Sequence, residues 1–180
     1  MHLSTKQIAQ FHHDGFLHVP SVFTSDDFSA IKAAINAEVD RRCDQLLAEG
    51  LITDLHKDAP FETRFGFIMA QSEEIQGGFD IDTLAFDAFF SQLSHPKLLD
   101  CIESLLGPNI SINPIHHLRA KPPSAQKHLN YFSVPWHQDA GVITEETDSE
   151  LIITAWYPLG EASEEMGCMR LIPGVQAGNL

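Results

Sequence analysis

The sequence predicts an α+β chain, mainly β in its carboxy-terminal third, in which amino-terminal helices buttress an antiparallel sheet system. Apolar residues recur at spacings of three and four through residues 24–50 and 96–107, the period of helices with one buried face. After Gly107 the texture changes to short β-branched or aromatic runs separated by Pro, Gly and acidic clusters. Helices followed by strands, with no internal repeat, point away from a parallel doubly wound sheet.

Ser4 followed by Gln7 is a capping-box signal, and Ile8 and Phe11 supply one apolar face before Gly15 stops the helix. Phe16–Pro20 reads as a short strand. Thr24 or Ser25 can cap a longer helix, on which Phe28, Ile31, Ile35, Val39, Cys43 and Leu46 form a stripe ending at Gly50. Residues 51–78 show no period and read as loop with short helical turns. Helical character returns over Asp82–Leu93, and Ser94-His95-Pro96 opens a helix that ends at Gly107-Pro108. The strand-like runs are Asn109–Asn113, Ile115–Lys121, Phe132–Gln138, Leu151–Tyr157 and Met169–Ile172.

A length of 180 residues with 43% hydrophobic and 20% charged side chains suits one domain with its own core. The formal net charge of −14 argues against nucleic acid and anionic lipid as partners. No apolar stretch approaches the ~20 residues needed to span a bilayer, so a soluble, cytoplasmic protein is expected. Cys43, Cys101 and Cys168 are odd in number and far apart, which fits a reducing compartment better than a disulfide framework.

Three His-x-Asp triplets stand out: His12-His13-Asp14, His56-Lys57-Asp58 and His137-Gln138-Asp139. With 10 histidines in this acidic chain, chance supplies about one such triplet, so context decides. The first falls at a helix end, where residues two apart point away from each other. In the second, the Lys57 ammonium competes for the carboxylate. The third follows an extended run, in which residues two apart project to the same face. His137 and Asp139 then converge on one point, supplying two thirds of a 2-His-1-carboxylate facial triad. The same spacing also suits an Asp that accepts a hydrogen bond from a half-buried His.

Five segments together resemble the phytanoyl-CoA dioxygenase family of iron(II)- and 2-oxoglutarate-dependent oxygenases. They are Phe11–Pro20, Leu118–Pro123, Pro135–Asp139, Thr154–Leu159 and Gly167–Gly174, in order and at matching spacing. The resemblance implies a double-stranded β-helix, a cupin-like jelly roll with flanking amino-terminal helices. One oxygenase-like domain over 1–180 would then comprise a helical buttress with loops at 1–107 and the first part of the roll at 108–180. It also implies Fe(II) as cofactor, 2-oxoglutarate as co-substrate, and a small organic or acyl substrate hydroxylated at a C–H bond. Asp139, where related halogenases carry Ala or Gly, favours hydroxylation. His137 and Asp139 match the first two iron ligands, Trp156 matches a tryptophan lining the 2-oxoglutarate pocket, and His117 falls where the family has another pocket residue.

The sequence departs from the family at Met166, where Asn is usual, and at Val175-Gln176, where Ser-His is usual. The family's distal iron-binding His and 2-oxoglutarate Arg lie downstream, whereas all ten histidines here lie at or before His137. A jelly roll needs about eight strands and only about five runs are found, so the barrel is expected to be incomplete. The expectation is a fragment, or a chain that self-associates through open sheet edges, without 2-oxoglutarate turnover by itself. A non-catalytic scaffold or binding protein of the same fold is the alternative reading.

Overall fold

The computed structural model describes residues 1–76, 87–113, 117–120, 135–139 and 151–176. Helix α1 spans Thr5–Asp14. The Ser4 hydroxyl accepts from the Gln7 amide at 3.3 Å while the Gln7 side chain accepts from the Ser4 amide at 2.9 Å, the reciprocal box read from the sequence. Gly15 closes the helix at φ 80°, its N–H donating to the Phe11 carbonyl at 2.8 Å.

The second helix begins as a 3₁₀ turn, Asp26–Phe28, that runs into α2, Ser29–Ala48. Thr24 and Ser25 do not cap it by accepting an amide hydrogen. Instead the Thr24 amide and hydroxyl both donate to Asp27, at 2.7 and 2.9 Å, tightening the first turn. Ile31, Ile35, Val39, Cys43 and Leu46 are all buried, so the stripe on α2 is the centre of the core. Burying each such side chain contributes about 1.5–3 kcal/mol.

Residues 51–76 correct the reading of that stretch as loop. Helix α3 fills Phe61–Gln71, and a 3₁₀ turn follows at Glu73–Gln76. In the α3 sequence, Phe-Glu-Thr-Arg-Phe-Gly-Phe-Ile-Met-Ala-Gln, the charged Arg64 is buried and Phe67 is exposed, so polarity does not follow the 3.6-residue period. The buried face holds Arg64 together with Ile68 and Met69. Arg64 spends its donors on Asp40, at 2.5 Å, and on the Leu55 carbonyl, at 3.2 Å.

Helix α4, Asp87–Leu93, lays Phe89 on α2. Helix α5, Pro96–Leu106, starts with Pro at N1 and with His95 Nδ1 accepting from the Lys97 amide at 3.2 Å. Asp27 links the starts of α2 and α5, pairing with the Lys97 ammonium and lying 3.4 Å from His95. The hydrogen bond from Lys97, then that from the Thr24 amide, holds the Asp27 carboxyl far below the usual range.

The sheet system is not found: among the described residues there is no β-strand, neither at Phe16–Pro20 nor in the described parts of the five carboxy-terminal runs. The reason is visible in residues 151–159. Their half-buried side chains are Ile153, Tyr157 and Leu159, all at odd positions, as the two-residue alternation of extended chain requires. That face packs on helices and not on a neighbouring strand. Tyr157 stacks on Phe28 at 5.8 Å and 13° and lies 5.2 Å from Phe23, while Leu159 touches the α2–α3 core. Alternation of this kind marks extended chain, and packing of its apolar face on the helical layer gives the β-like texture without a ladder among the described residues. The mainly-β jelly roll is therefore corrected, among the described residues, to a helical layer with extended segments laid on it.

Around Met166, residues 163–168 form a turn in which the Cys168 amide donates to the Ser163 carbonyl at 3.1 Å. The left-handed conformation is taken by Gly167, at φ 77°, which relieves Met166 of it.

Candidate functional site

Pro135 has no amide hydrogen to give, but its carbonyl oxygen is free to accept, and His137 Nδ1 lies 2.7 Å from it. A carbonyl only accepts, so Nδ1 carries the hydrogen and a neutral ring points its Nε2 lone pair the other way. In that direction lies Asp139 Oδ1, at 3.3 Å. Two acceptor atoms facing each other at this distance repel unless a positive charge stands between them, either a proton on Nε2 or a cation. Two donors 3.3 Å apart, each bonded to one ion at ~2.0–2.2 Å, subtend about 100° at the ion, close to adjacent octahedral positions. The donor set fits a divalent metal.

The other Asp139 oxygen is occupied. The Thr154 hydroxyl donates to Oδ2 at 2.6 Å, tying the 135–139 segment to the segment that carries Tyr157. Gln138, between the two donors, turns away and donates to the Val175 carbonyl at 3.0 Å. Residues 174–176 in turn are fastened to the end of α1. The Gly174 amide donates to the Asp14 carbonyl at 2.8 Å, and Gln176 Nε2 reaches the His12 and His13 carbonyls at 3.2 and 3.1 Å. These are carbonyls that a helix end leaves without intrahelical partners.

Trp156 is 47% exposed. Its even position places it on the same side of the extended segment as Thr154. His117 is exposed, although Leu118 beside it packs on the core. Among the described residues no third imidazole, thiolate or carboxylate joins His137 and Asp139 within 4.8 Å, so His117 is not brought into a triad with them.

The other two triplets do not converge. It is His13, not His12, that meets Asp14, at 2.7 Å, and this hydrogen bond, followed by one from Gln10, keeps the Asp14 carboxyl below its usual range. His56 lies 3.6 Å from Asp54, outside its triplet. Sequence reading missed His2, Asp100 and Glu103, whose donor atoms gather within 4.8 Å at the surface of α5. Only the i, i+3 spacing of Asp100 and Glu103 hinted at it.

Residues 11–179 match the phytanoyl-CoA dioxygenase (PhyH) family, and the chain belongs to that family. It is 32% identical over 97 residues to a probable alpha-ketoglutarate-dependent hypophosphite dioxygenase of Stutzerimonas stutzeri, an alignment covering 54% of this chain and 31% of that protein. It is 30% identical over 91 residues to the peroxisomal phytanoyl-CoA dioxygenase of Homo sapiens, covering 51% of this chain and 26% of that one. With the peroxisomal phytanoyl-CoA dioxygenase of Rattus norvegicus it shares 25% identity over 178 residues, 99% of this chain and 49% of the relative. The matched stretch thus spans from about a quarter to about half the length of these curated relatives. No solved structure matches the chain. No helix among the described residues is long and apolar enough to cross a membrane.

Proposed function

We propose that the chain carries part of the active site of an Fe(II)- and 2-oxoglutarate-dependent oxygenase acting on a small organic or acyl substrate. The observation that carries this reading is the pair of open donor atoms, His137 Nε2 and Asp139 Oδ1, held 3.3 Å apart. Family membership and the alpha-ketoglutarate dependence in the name of one relative support it. When bound, ferrous iron would let 2-oxoglutarate and dioxygen react, one oxygen atom of dioxygen going to succinate as CO2 is lost and the other to the C–H bond that is hydroxylated.

The residues of this chain would do the holding. Pro135, through its carbonyl, fixes the His137 ring in the tautomer that presents Nε2. Asp139 offers Oδ1 and supplies one negative charge, which offsets part of the charge of a divalent ion. Trp156, on the Thr154 side of its segment, would supply an apolar wall against which the methylenes of 2-oxoglutarate could lie. His117 is the second residue we assign to the co-substrate pocket.

Succinate formation tests the reading: the protein is incubated with ferrous iron, ascorbate and 2-oxoglutarate, and succinate is followed by mass spectrometry. Succinate from the wild type and none from His137→Ala would support the reading and overturn the sequence expectation of no turnover by this chain itself. Equal turnover by both would end the proposal. A non-catalytic binding role is favoured by one observation, that no third ligand lies within 4.8 Å of the pair among the described residues. Metal binding without succinate would select it.

A further inference from the structure

A carboxylate can hold a cation through one oxygen or through both, and it can rotate between the two modes. At this pair the choice is already made by a residue fifteen positions away. The Thr154 hydroxyl lies 2.6 Å from Asp139 Oδ2, within the range of a charge-assisted O–H···O⁻ bond. A hydroxyl that donates there occupies Oδ2 on its outer side and leaves Oδ1 facing His137 Nε2. Thr154 is itself held, because Tyr157, three residues on, is clasped by Phe23 and Phe28. The segment that carries the hydroxyl is thereby anchored to the helical layer.

We propose that Thr154 is a positioning residue that makes Asp139 a one-oxygen ligand and aims Oδ1 at the point shared with His137 Nε2. The inference rests on the reading of His137 and Asp139 as the metal-binding pair, and it adds a residue that touches neither the metal nor the substrate. Its chemistry is that of an outer partner to a ligating carboxylate, whose loss typically weakens metal binding about 10–100-fold.

The probe is Co(II), added anaerobically to the full chain and followed by its d–d absorption and by calorimetry. Thr154→Val keeps the shape of an exposed side chain and removes the hydroxyl, while Thr154→Ser keeps the hydroxyl. We expect Thr154→Val to weaken Co(II) binding about tenfold and to change the absorption band as the carboxylate becomes free to turn. Thr154→Ser should stay within about twofold of wild type and keep the wild-type band. A wild-type affinity and spectrum in Thr154→Val, with Asp139→Ala abolishing binding, would overturn the role of Thr154 alone. Unchanged binding in both Asp139→Ala and His137→Ala, or none in the wild type, would overturn the pair as the metal locus and this inference with it. If Thr154→Ser bound as weakly as Thr154→Val, the methyl packing and not the hydroxyl would be at work, and the proposal would fail.

Discussion

Glu38 and Arg42 stand one turn apart on α2, both buried, with Arg42 Nε 2.7 Å from Glu38 Oε1. The same carboxylate receives Arg41 through two bonds, at 2.7 and 2.8 Å, and Arg42 also donates to the Ile75 carbonyl at 3.3 Å. One acid thus bridges two guanidiniums where α2 meets the Glu73–Gln76 turn. Breaking such a buried pair from one side costs about 3–5 kcal/mol, since the remaining charge keeps its burial and loses its counterion. Glu38→Gln should therefore lower the urea midpoint at pH 7 sharply, and unchanged unfolding would remove Glu38 from the account of stability.

The hydrogen bond from Arg41, and after it that from Arg42, lowers the Glu38 carboxyl below its ordinary 4.5 against the opposing effect of burial. A carboxyl depressed in the folded state contributes stability that is complete above its unfolded value and is lost as pH falls through the folded one. Acid unfolding of the wild type should thus include a component beginning near pH 4.5 that Glu38→Gln lacks. Urea midpoints taken between neutral pH and about pH 3 measure it.

At the candidate centre, Asp139→Ala should abolish any Fe(II)- or Co(II)-dependent signal, because a methyl group cannot ligate. His12→Ala and Asp58→Ala should leave it intact, since neither residue is drawn toward the pair. Loss of the signal in either of these two would place the metal elsewhere.

Trp156 should report the arrival of 2-oxoglutarate. In a Trp136→Phe background, adding 2-oxoglutarate with anaerobic ferrous iron should perturb the remaining tryptophan emission. A ligand-induced change that survives Trp156→Phe in the Trp136-containing chain would assign the response to Trp136, which is 64% exposed.

Gly15 meets two demands at once, a φ of 80° and close approach to Gln176. A Cβ there would lie 2.4 Å from Gln176 Oε1 and 3.0 Å from its Cβ. Gly15→Ala should cost about 1–2 kcal/mol for the left-handed backbone and, by pushing Gln176 off the His12 and His13 carbonyls, loosen residues 174–176. Thermal melting and hydrogen exchange at Gly174 would show both effects. An unaltered melt would mean that the turn relaxes freely.

What the sequence made legible follows the range of the interactions involved. The Ser4–Gln7 box, the Gly15 stop, the α2 stripe and the Pro96 start are set within a turn or two of chain, and the structure has them. His137 and Asp139 lie 3.3 Å apart, a matter of two neighbouring residues, although the chain bends at Trp136 and is not the extended strand expected there. Helix α3 was hidden because it buries Arg64 and exposes Phe67, which sets polarity against the helical period. The expected strands rested on a two-residue alternation, which in residues 151–159 marks extended chain packed on Phe23 and Phe28 from far upstream and does not by itself supply a ladder partner. Thr154 on Asp139 and Gln138 on Val175 span 15 and 37 residues, and nothing local announces them.

The clasp of Tyr157 by Phe23 and Phe28 has a thermodynamic reach beyond holding one ring. Thr154 lies on the same short segment as Tyr157, so in the closed arrangement of the clasp one hydrogen bond ties Asp139 to the helical layer. Any ion that prefers the closed arrangement therefore adds RT ln(1 + [L]/Kd) to the stability of the helices, about 2.7 kcal/mol at a hundredfold excess over Kd. Melting of α2, observed by far-ultraviolet dichroism and with no reference to turnover, becomes a titration curve for the metal.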